Sequence, residues 1–289
     1  NKSISYTYDK CNRLTRVIDI ANKEFTFTYN PIGLPTTIIY PDDRLACDTY
    51  YTYDSLNRTT KVENKRDYTM RSSYEYTYDN AGNRTKIINR NPDFTQYQEE
   101  VNYTYDSLNR LTKENHLDWL GWTELVYIYT YDSIGNRLTR KKVQSNNESY
   151  ILEQLTYTYN KDRLSSIKKD ESPYLSYSYD SNGNLIETNP YQLPPMSYLY
   201  NPNNQMTEAK YTLGDSLKNI SYDGLGRRAK TEEGGFTMTY LYDGLHTLMK
   251  FKKLSDENWL DREYIWANGR ILVRYGFNPD NGSIWLTSY

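Results

Sequence analysis

Aromatic and polar residues alternate in short runs along the chain, and each run ends in a cluster of turn-forming residues. The run from Tyr103 to Thr112, with the sequence YTYDSLNRLT, shows the pattern most clearly. Residues two apart on a strand point to the same face, so Tyr103 and Tyr105 share one face and Thr104 takes the other. Tyrosine and threonine also favour strands. The pattern predicts a β-strand that ends at a turn.

The residues after the second tyrosine predict a type I turn followed by a bulge. Asp106 can accept hydrogen bonds from the backbone amides ahead of it, as aspartate does at the first position of such turns. Asn109 falls three residues later, where the backbone commonly takes positive φ and joins a G1 bulge. Residues 110–112 then begin the returning strand. The unit is therefore predicted to be a tight β-hairpin.

Close copies of this unit recur along the chain. The position that needs positive φ is glycine or asparagine, the residues that enter the left-handed region most readily, at Asn12, Gly33, Asn57, Gly82, Asn109, Gly135, Gly183, Asn204 and Gly226. His246 fills it in another copy, and we expect this histidine to adopt the left-handed conformation. The copy with Arg163 is one residue short, which predicts a different turn. Pro31 and Pro202 fit the second turn position, where φ is near −65°.

The structural residues of the motif are the aromatic pair, the aspartate that follows and the turn glycine. In the clearest copies these are Tyr6, Tyr8, Asp9, Tyr51, Tyr53, Asp54, Tyr76, Tyr78, Asp79, Gly82, Tyr103, Tyr105, Asp106, Tyr129, Tyr131, Asp132, Gly135, Tyr177, Tyr179, Asp180 and Gly183. Their predicted role is to set the conformation of each hairpin. No catalytic, cofactor-binding or metal-binding role is predicted for them.

The second aromatic of each unit recurs at intervals of 20 to 28 residues, from Tyr8 to Trp266. A period of this size, with length variation confined to the connections, is typical of repeat architectures. Twelve hairpins at about 4.8 Å per strand make a ribbon too wide to stay flat. We therefore predict an all-β fold, an up-and-down antiparallel meander of about twelve hairpins, with residues 1–289 as one curved body. Propeller blades are disfavoured because odd and even units do not alternate.

Of the features of the composition, only the large number of tyrosines agrees with this fold. A mean hydropathy of −0.90 and a net charge of −2 would by themselves suggest disorder. The 33 tyrosines change that expectation, because a tyrosine ring buries apolar area while its hydroxyl finds a polar partner. We expect a tyrosine-faced sheet without an aliphatic core. The charge argues against a nucleic-acid partner, and no apolar window approaches the roughly 18 residues of a membrane span. No signal peptide is visible in this chain.

The repeated units resemble the YD or RHS repeats, as in YTYDSLNRTT at 51–60, YTYDNAGNRT at 76–85 and YTYDSIGNRLT at 129–139. That family includes bacterial Rhs polymorphic toxins, the B and C components of Tc toxins, wall-associated bacterial proteins and animal teneurins. The resemblance covers nearly the whole chain. It implies a spiralling sheet that becomes part of a hollow shell around a C-terminal toxic domain.

The same resemblance extends to the end of the chain. Residues 264–289 are similar to the segment that often precedes the RHS-associated core, but the aspartyl autoprotease motif of that core is not visible. No protease residue is carried over. The resemblance thus implies a non-catalytic shell segment, secreted or at a bacterial cell surface. Its partners would be the attached cargo and the remaining shell segments.

A second class of function stays open, namely cell-surface adhesion or carbohydrate binding, as the teneurin branch implies. Trp119, Trp122 and Trp259 could mark such a surface, although packing under a loop explains them as well. Potential glycan acceptors are also present, although a turn asparagine followed by a strand threonine produces the same triplet. These triplets begin at Asn57, Asn83, Asn102 and Asn281.

Catalytic patterns are scarce in the sequence. The nucleophile-elbow, HExxH, P-loop and dinucleotide motifs are missing. His116, near Asp118 in the connection KENHLDWLGW, is expected to be a surface-loop histidine. Cys11 and Cys47 cannot complete a four-ligand zinc site, and we expect two free thiols. The sequence therefore predicts no enzymatic activity, no cofactor and no metal.

Overall fold

The computed structural model describes residues 4–19, 22–41, 47–91, 97–117, 123–144, 147–211, 214, 216–254, 257–267, 270–277 and 284–288. All regular elements in these ranges are β-strands, which confirms the all-β class. None of the described residues forms a helix that could span a membrane.

Eighteen strands belong to one sheet. They are β1 (Ser5–Tyr8), β2 (Leu14–Ile18), β3 (Glu24–Tyr29), β4 (Pro35–Ile39), β5 (Asp48–Tyr53), β6 (Thr59–Arg66), β7 (Thr69–Tyr78), β8 (Arg84–Asn91), β9 (Tyr97–Tyr105), β10 (Leu111–Leu117), β11 (Thr123–Tyr131), β12 (Arg137–Gln144), β13 (Asn147–Asn160), β14 (Arg163–Lys169), β15 (Ser172–Tyr179), β16 (Leu185–Pro190), β17 (Met196–Tyr200) and β18 (Met206–Tyr211).

Seven strands form a second sheet. They are β19 (Lys218–Tyr222), β20 (Arg228–Glu233), β21 (Phe236–Asp243), β22 (His246–Leu254), β23 (Glu257–Ala267), β24 (Arg270–Phe277) and β25 (Ile284–Ser288).

By its internal contacts the chain divides into two units, residues 1–157 with 169–171, and residues 158–168 with 172–289. In the first unit each strand from β1 to β13 pairs antiparallel with the next one in the chain. In the second unit β15 to β18 pair in chain order, and so do β19 to β25. Each unit is therefore an up-and-down meander, as the repeat pattern predicts.

The hairpins carry the predicted bulge at the second aromatic residue. Between β9 and β10, Tyr105 pairs with Leu111 and Thr104 pairs with Lys113, so Thr112 is the extra residue. Comparable register shifts occur at Tyr8, Tyr29, Tyr53, Tyr78, Tyr131, Tyr179, Tyr200, Tyr222, Tyr242 and Trp266.

The backbone conformation of the turns also agrees with the sequence prediction. Positive φ is confirmed at Asn12, Asn57, Asn109 and Asn204, with values of 58 to 64°, and at Gly33, Gly82, Gly135, Gly183 and Gly226, with values of 76 to 98°. The short copy uses a different turn, as expected, in which Lys161 has a φ of 56° and Arg163 already begins β14.

The prediction for His246 is wrong. This residue begins β22 and pairs with Asp243, while Gly244 takes the positive φ of 53°. A two-residue connection joins these strands, so the left-handed conformation moves upstream onto the glycine. The sequence pattern did not predict this shorter connection, because the copy YLYDGLH has the same spacing as its neighbours.

Fully buried side chains are mainly aliphatic residues and phenylalanine. Val17 pairs with Phe25 across β2 and β3, and Val126 pairs with Val143 across β11 and β12. All four are no more than 2% exposed. Tyr157 is buried as well, but tyrosines of the motif are mostly half-buried. The expected sheet without an aliphatic core is thus wrong in part, because a tyrosine hydroxyl needs a polar partner that these fully apolar contacts do not offer.

Replacing Gly135 with valine tests the turn assignment. Its φ is +98°, and no atom lies within 4 Å of the position that a Cβ would take, so only the backbone conformation resists the change. We expect the free energy of unfolding, measured in urea, to fall by about 1–2 kcal/mol, because a β-branched residue resists the left-handed region. Gly135→Asn is the matched control and should cost much less. Equal losses from valine and asparagine would contradict the assignment.

Candidate functional site

The aspartate that follows each aromatic pair organises the turn around its carboxylate. In the turn after β9, Asp106 Oδ1 accepts hydrogen bonds from the backbone N–H groups of Leu108 and Arg110, both at 2.9 Å. The backbone N–H of Asn109 donates to the Asp106 carbonyl at 3.0 Å, which closes the type I turn. The backbone N–H of Asp106 donates to the Arg110 carbonyl at 3.0 Å. One side chain thus holds both sides of the hairpin tip.

The side chain four positions after the aspartate donates a hydrogen bond to the second carboxylate oxygen. In the copies with arginine, Nε lies 2.7 Å from Oδ2, in the pairs Asp9 and Arg13, Asp54 and Arg58, Asp106 and Arg110, and Asp223 and Arg227. In the copies with asparagine, Nδ2 donates to Oδ2 at 2.8 to 2.9 Å, in the pairs Asp79 and Asn83, Asp132 and Asn136, and Asp180 and Asn184. Either side chain completes the carboxylate's hydrogen bonds.

The second aromatic residue of most units reaches back to the preceding hairpin. Its hydroxyl donates a hydrogen bond to the carbonyl of the residue that follows the arginine or asparagine position. The pairs are Tyr29 and Leu14, Tyr53 and Pro35, Tyr78 and Thr59, Tyr105 and Arg84, Tyr131 and Leu111, Tyr179 and Leu164, Tyr222 and Met206, and Tyr242 and Arg228, at 2.6 to 3.0 Å. Where tryptophan replaces tyrosine, Trp266 Nε1 donates to the Thr247 carbonyl at 2.7 Å.

The arginines extend in the opposite direction, toward the following hairpin. Their Nη1 donates to the carbonyl of the first residue of the next turn in the pairs Arg13 and Asn30, Arg58 and Asp79, Arg110 and Asp132, and Arg163 and Asp180, at 2.8 to 3.2 Å. Arg227 donates to the Gly244 carbonyl in the same way. Each of these guanidinium groups also lies 4.6 to 5.8 Å from the ring centre of the tyrosine that reaches back. We call this set of contacts the hairpin ladder.

The role of the arginines was not predicted, although the sequence carries a signal for them. Arginine recurs four positions after the aspartate at Arg13, Arg58, Arg110 and Arg227. In the short copy, Arg163 keeps the contact with the next turn and lies against Gly183, where its Nη2 is 2.6 Å from the position of a Cβ. A Cβ at this position would displace the end of the arginine side chain. Gly183 therefore gives space to the guanidinium in addition to adopting a positive φ of 93°.

The first aromatic of each pair lies deeper in the sheet than the hairpin tip. Arg84 covers the ring of Tyr76 at 4.3 Å, and the Tyr129 hydroxyl donates to Glu114 at 2.9 Å. Burial raises the pKa of Tyr76, Tyr103 and Tyr129, so each hydroxyl stays protonated near neutral pH. Tyr51 and Tyr177 are half-buried as well. In the first strand, Tyr6 and Tyr8 are 40% and 53% exposed.

His116 belongs to a strand, and the prediction of a loop histidine is wrong. The strand β10 continues to Leu117, so the histidine faces its neighbours across the sheet. Nδ1 lies 3.2 Å from Glu99 and Nε2 lies 3.3 Å from Glu114, and the ring is edge-on to Tyr127. These contacts hold the imidazole on both sides. Asp118, its expected neighbour, lies outside the described residues.

The remaining candidate residues from the sequence do not come together in a site within the described part of the chain. Cys11 and Cys47 are both free, as predicted. Within the described ranges, no group of three metal-ligating side chains comes together. Asn83 uses its amide in the ladder, and Asn102 donates to Glu100 at 2.8 Å. Asn57 lies exposed in its turn. Trp119, Trp122 and Asn281 lie outside the described residues, as does the side chain of Trp259.

The turn carboxylates are held in their charged form. The backbone N–H of Arg110 lowers the pKa of Asp106, against the effect of burial, and the Arg110 side chain lowers it further. The pKa values of Asp9 and Asp54 are lowered in the same way by Arg13 and Arg58. At Asp79 and Asp180 the leading cause is the side-chain amide four residues on. The ladder therefore depends on ionised aspartates.

Removing one hydroxyl tests the ladder. Tyr131→Phe removes the donor to the Leu111 carbonyl and leaves the ring in place. We expect the free energy of unfolding to fall by about 1 kcal/mol, since the carbonyl loses its partner. Tyr68→Phe is the control, because Tyr68 lies in the turn between β6 and β7 and is 98% exposed. Equal effects of the two substitutions in urea unfolding would contradict a role for the Tyr131 hydroxyl.

Acid should weaken the ladder. A group whose pKa is lowered on folding adds stability above its unfolded pKa, about 3.9 for aspartate, and this stability is lost as pH falls through the folded pKa. We expect Asp106→Asn to be less stable than the natural chain at pH 7, with a difference that shrinks below about pH 4. Urea unfolding at several pH values measures this difference. A stability difference for Asp106→Asn that does not change with pH would contradict the prediction.

Comparisons with known proteins identify the family of the chain. The family model described as teneurin YD-shell matches residues 47–250. Among curated proteins, the chain is similar to the tRNA3(Ser)-specific nuclease WapA of Bacillus spizizenii, with 28% identity over 192 residues, which are 64% of this chain and 7% of WapA. The chain thus spans less than a tenth of that relative.

Among solved structures, the chain is similar to the Tc holotoxin pore of Photorhabdus luminescens, at 12% identity and a TM-score of 0.47, covering 99% of this chain and 18% of the other. The TcdB2-TccC3-Cdc42 complex has 13% identity, a TM-score of 0.46 and the same coverage. These chains are about five times as long as this one. Because the family model covers more than half of the sequence, the chain belongs to the teneurin YD-shell family.

Proposed function

We propose that this chain is a non-catalytic wall segment of a YD-repeat toxin shell, which encloses a toxic domain encoded C-terminal to it. In this proposal residues 1–289 act as one repeat body, and residues 264–289 lead toward the RHS core. Its partners are the enclosed cargo and the remaining segments of the shell. The assembled protein is secreted or displayed at a bacterial surface, and this segment takes no cofactor.

The hairpin ladder is the observation that carries the proposal. The motif repeats the kinds of group that enzymes use, namely carboxylates, guanidinium groups and phenol hydroxyls. In this chain the aspartates accept backbone and side-chain hydrogen bonds within their own turns. The tyrosine hydroxyls and arginines bind backbone carbonyls of neighbouring hairpins. Because these groups are already hydrogen-bonded within or between hairpins, they support a role as a wall segment.

A wall must also resist opening between its repeats. Hairpins joined by the ladder gain a hydrogen bond from a tyrosine or tryptophan in addition to the strand pairing, and those with an arginine after the turn also gain a charge-assisted contact. Each neutral hydrogen bond contributes about 1 kcal/mol, and an exposed ion pair contributes less. The contacts are therefore individually modest. Their strength lies in repetition along the whole sheet, which suits an enclosure better than a single binding cleft.

A carbohydrate-binding or adhesive module is the second candidate. A cavity of about 480 Å³ in the second unit is lined by Tyr174, Tyr191, Pro173 and Pro190 among others. Tyr174 and Tyr191 are 44% and 57% exposed. Aromatic rings beside a cavity can stack on the apolar face of a sugar. This observation supports a glycan contact at the strand ends opposite the ladder.

Protease protection tests the shell proposal. The experiment uses the full-length product of the gene that encodes this chain, treated with a broad-specificity protease and analysed by mass spectrometry. We expect a C-terminal fragment to survive intact. A double variant, Arg58→Ala with Arg110→Ala, should lose this protection because it removes two ladder connections. Tyr68→Ser, at an exposed turn away from the ladder, should retain it.

A glycan array on the 289-residue chain separates the two candidates. Glycan binding that Tyr174→Ala and Tyr191→Ala abolish, without any protected C-terminal fragment, would replace the shell proposal by the adhesive one. A protected fragment without glycan binding would support the shell. The two measurements are read together, and their combination assigns the function.

A further inference from the structure

A polar cavity in the second unit lies beside Arg163, the arginine of the short copy. The cavity has a volume of about 560 Å³ and lies between the turn that joins β13 to β14 and the end of β15. We call it the Arg163 cavity. Its volume is in the range of small-molecule sites and exceeds what a single ion needs. The residues around it differ from those of every other turn in the hairpin ladder.

Of the five arginines in the described hairpin ladder, Arg163 alone has no carboxylate partner. The other four place Nε 2.7 Å from Oδ2 of the aspartate in their own turn. In the short copy, Asn160 stands where that aspartate would be. Arg163 Nη1 donates to the Asp180 carbonyl at 3.2 Å, and the guanidinium lies 5.8 Å from the ring centre of Tyr179. The Nε edge, which binds a carboxylate in the other copies, is therefore available to a ligand.

The charged groups that line the cavity favour a ligand with a single negative charge. Lys161 and Arg163 are positive, Asp162 is negative, and all three are exposed. The carboxylate of Asp180 binds its own turn, because its two oxygens accept hydrogen bonds from the backbone and side-chain N–H groups of Asn184, both at 2.8 Å. One carboxylate on a ligand would balance the lining charges. A doubly charged phosphate would face Asp162 with an excess of negative charge.

Hydroxyl groups form much of the remaining wall. Ser178 and Ser181 line the cavity, and their hydroxyls make no hydrogen bond within the described residues. Ser165 Oγ donates to the Thr158 carbonyl at 2.9 Å and can still accept a hydrogen bond. An exposed ion pair alone contributes little to binding, so a ligand held here must also use these hydroxyls. The lining therefore suits a ligand that is itself rich in hydroxyl groups.

We infer that the Arg163 cavity binds a small ligand with one carboxylate and several hydroxyl groups, which is the chemistry of an acidic sugar. The ligand carboxylate takes the place of the missing turn aspartate and accepts a charge-assisted hydrogen bond from Arg163 Nε. The serine hydroxyls bind the hydroxyl groups of the ligand. The site shares no lining residue with the cavity beside Tyr174, and it does not depend on either function proposed above.

Titration of the 289-residue chain, followed by NMR chemical shifts, tests the ligand class. The probes are sodium glucuronate, glucose, sodium acetate and inorganic phosphate. We expect glucuronate to bind with a Kd at least about tenfold lower than that of glucose, which has the hydroxyl groups but lacks the carboxylate. Acetate, which has the carboxylate but lacks the hydroxyl groups, should also bind more weakly. Added salt should weaken glucuronate binding, because salt screens exposed charges.

Two substitutions test the contact with Arg163. Arg163→Gln removes the cation and should raise the Kd of glucuronate at least about tenfold. Asn160→Asp puts a carboxylate in the cavity and should weaken binding as strongly, while Arg163 keeps its contact with the Asp180 carbonyl. The matched controls are Arg58→Gln, which loses a ladder contact outside the cavity, and Asn203→Asp, which adds the same charge at another exposed turn. Both controls should bind glucuronate as the natural chain does.

Several results would overturn the inference. One is glucuronate that does not bind, or that binds no more tightly than glucose. Another is binding that neither Arg163→Gln nor Asn160→Asp weakens, since the carboxylate would then lie elsewhere. Phosphate or acetate that binds as tightly as glucuronate and displaces it would assign the cavity to anions in general and not to an acidic sugar. Binding that does not change with salt would exclude the ion pair with Arg163.

Discussion

The hydrogen bond from the second tyrosine of a repeat to a carbonyl of the preceding hairpin is the contact on which this architecture depends. The bulge beside every turn interrupts the strand pairing, and a carbonyl next to it accepts its hydrogen bond from a side chain. The donor must reach from the neighbouring hairpin across one strand spacing. A phenol is long and rigid enough to do this, whereas phenylalanine lacks the donor. This requirement accounts for the tyrosine at the second aromatic position of the repeat.

The turn aspartate and the arginine add a second contact between neighbouring hairpins, which runs from the arginine to the following turn. The carboxylate fixes the hairpin tip, and the arginine that it binds extends one nitrogen to the next turn. A tyrosine from that next hairpin extends back beneath the guanidinium. Neighbouring hairpins are thus joined by two contacts that run in opposite directions. Because each hairpin binds only its neighbours, stability is distributed along the array, as in other repeat proteins.

This distribution of contacts has a consequence for function. Polar groups that could act on a ligand are used to join the hairpins, and the fully buried apolar residues occupy small clusters between strands. A sheet built in this way can be extended by adding hairpins, with no limit set by a central core. Length variation in the connections leaves the ladder unchanged. Family membership and these side-chain contacts both agree with a structural segment of a YD shell.

The short seventh copy shows how tightly the ladder is specified. Its turn is one residue shorter, and no aspartate is available at the usual place, since Asn160 precedes Lys161. Arg163 nevertheless reaches the Asp180 carbonyl, and Tyr179 reaches the Leu164 carbonyl. The glycine at 183 provides the space for the displaced guanidinium. The contact between hairpins is therefore kept even where the turn that usually supports it has changed.

The sequence by itself determined the local structure of this protein. Alternating aromatic residues predicted the strands, and glycine or asparagine at one turn position predicted nine left-handed residues, because few residue types tolerate that conformation. The tertiary structure alone decided what joins the hairpins. The tyrosine and arginine contacts cross from one repeat to the next over 14 to 22 residues, and side-chain alternation says nothing about such distances. It also decided that His246 begins a strand and that His116 lies between Glu99 and Glu114, since strand ends depend on pairing with a neighbour and not on local residue type.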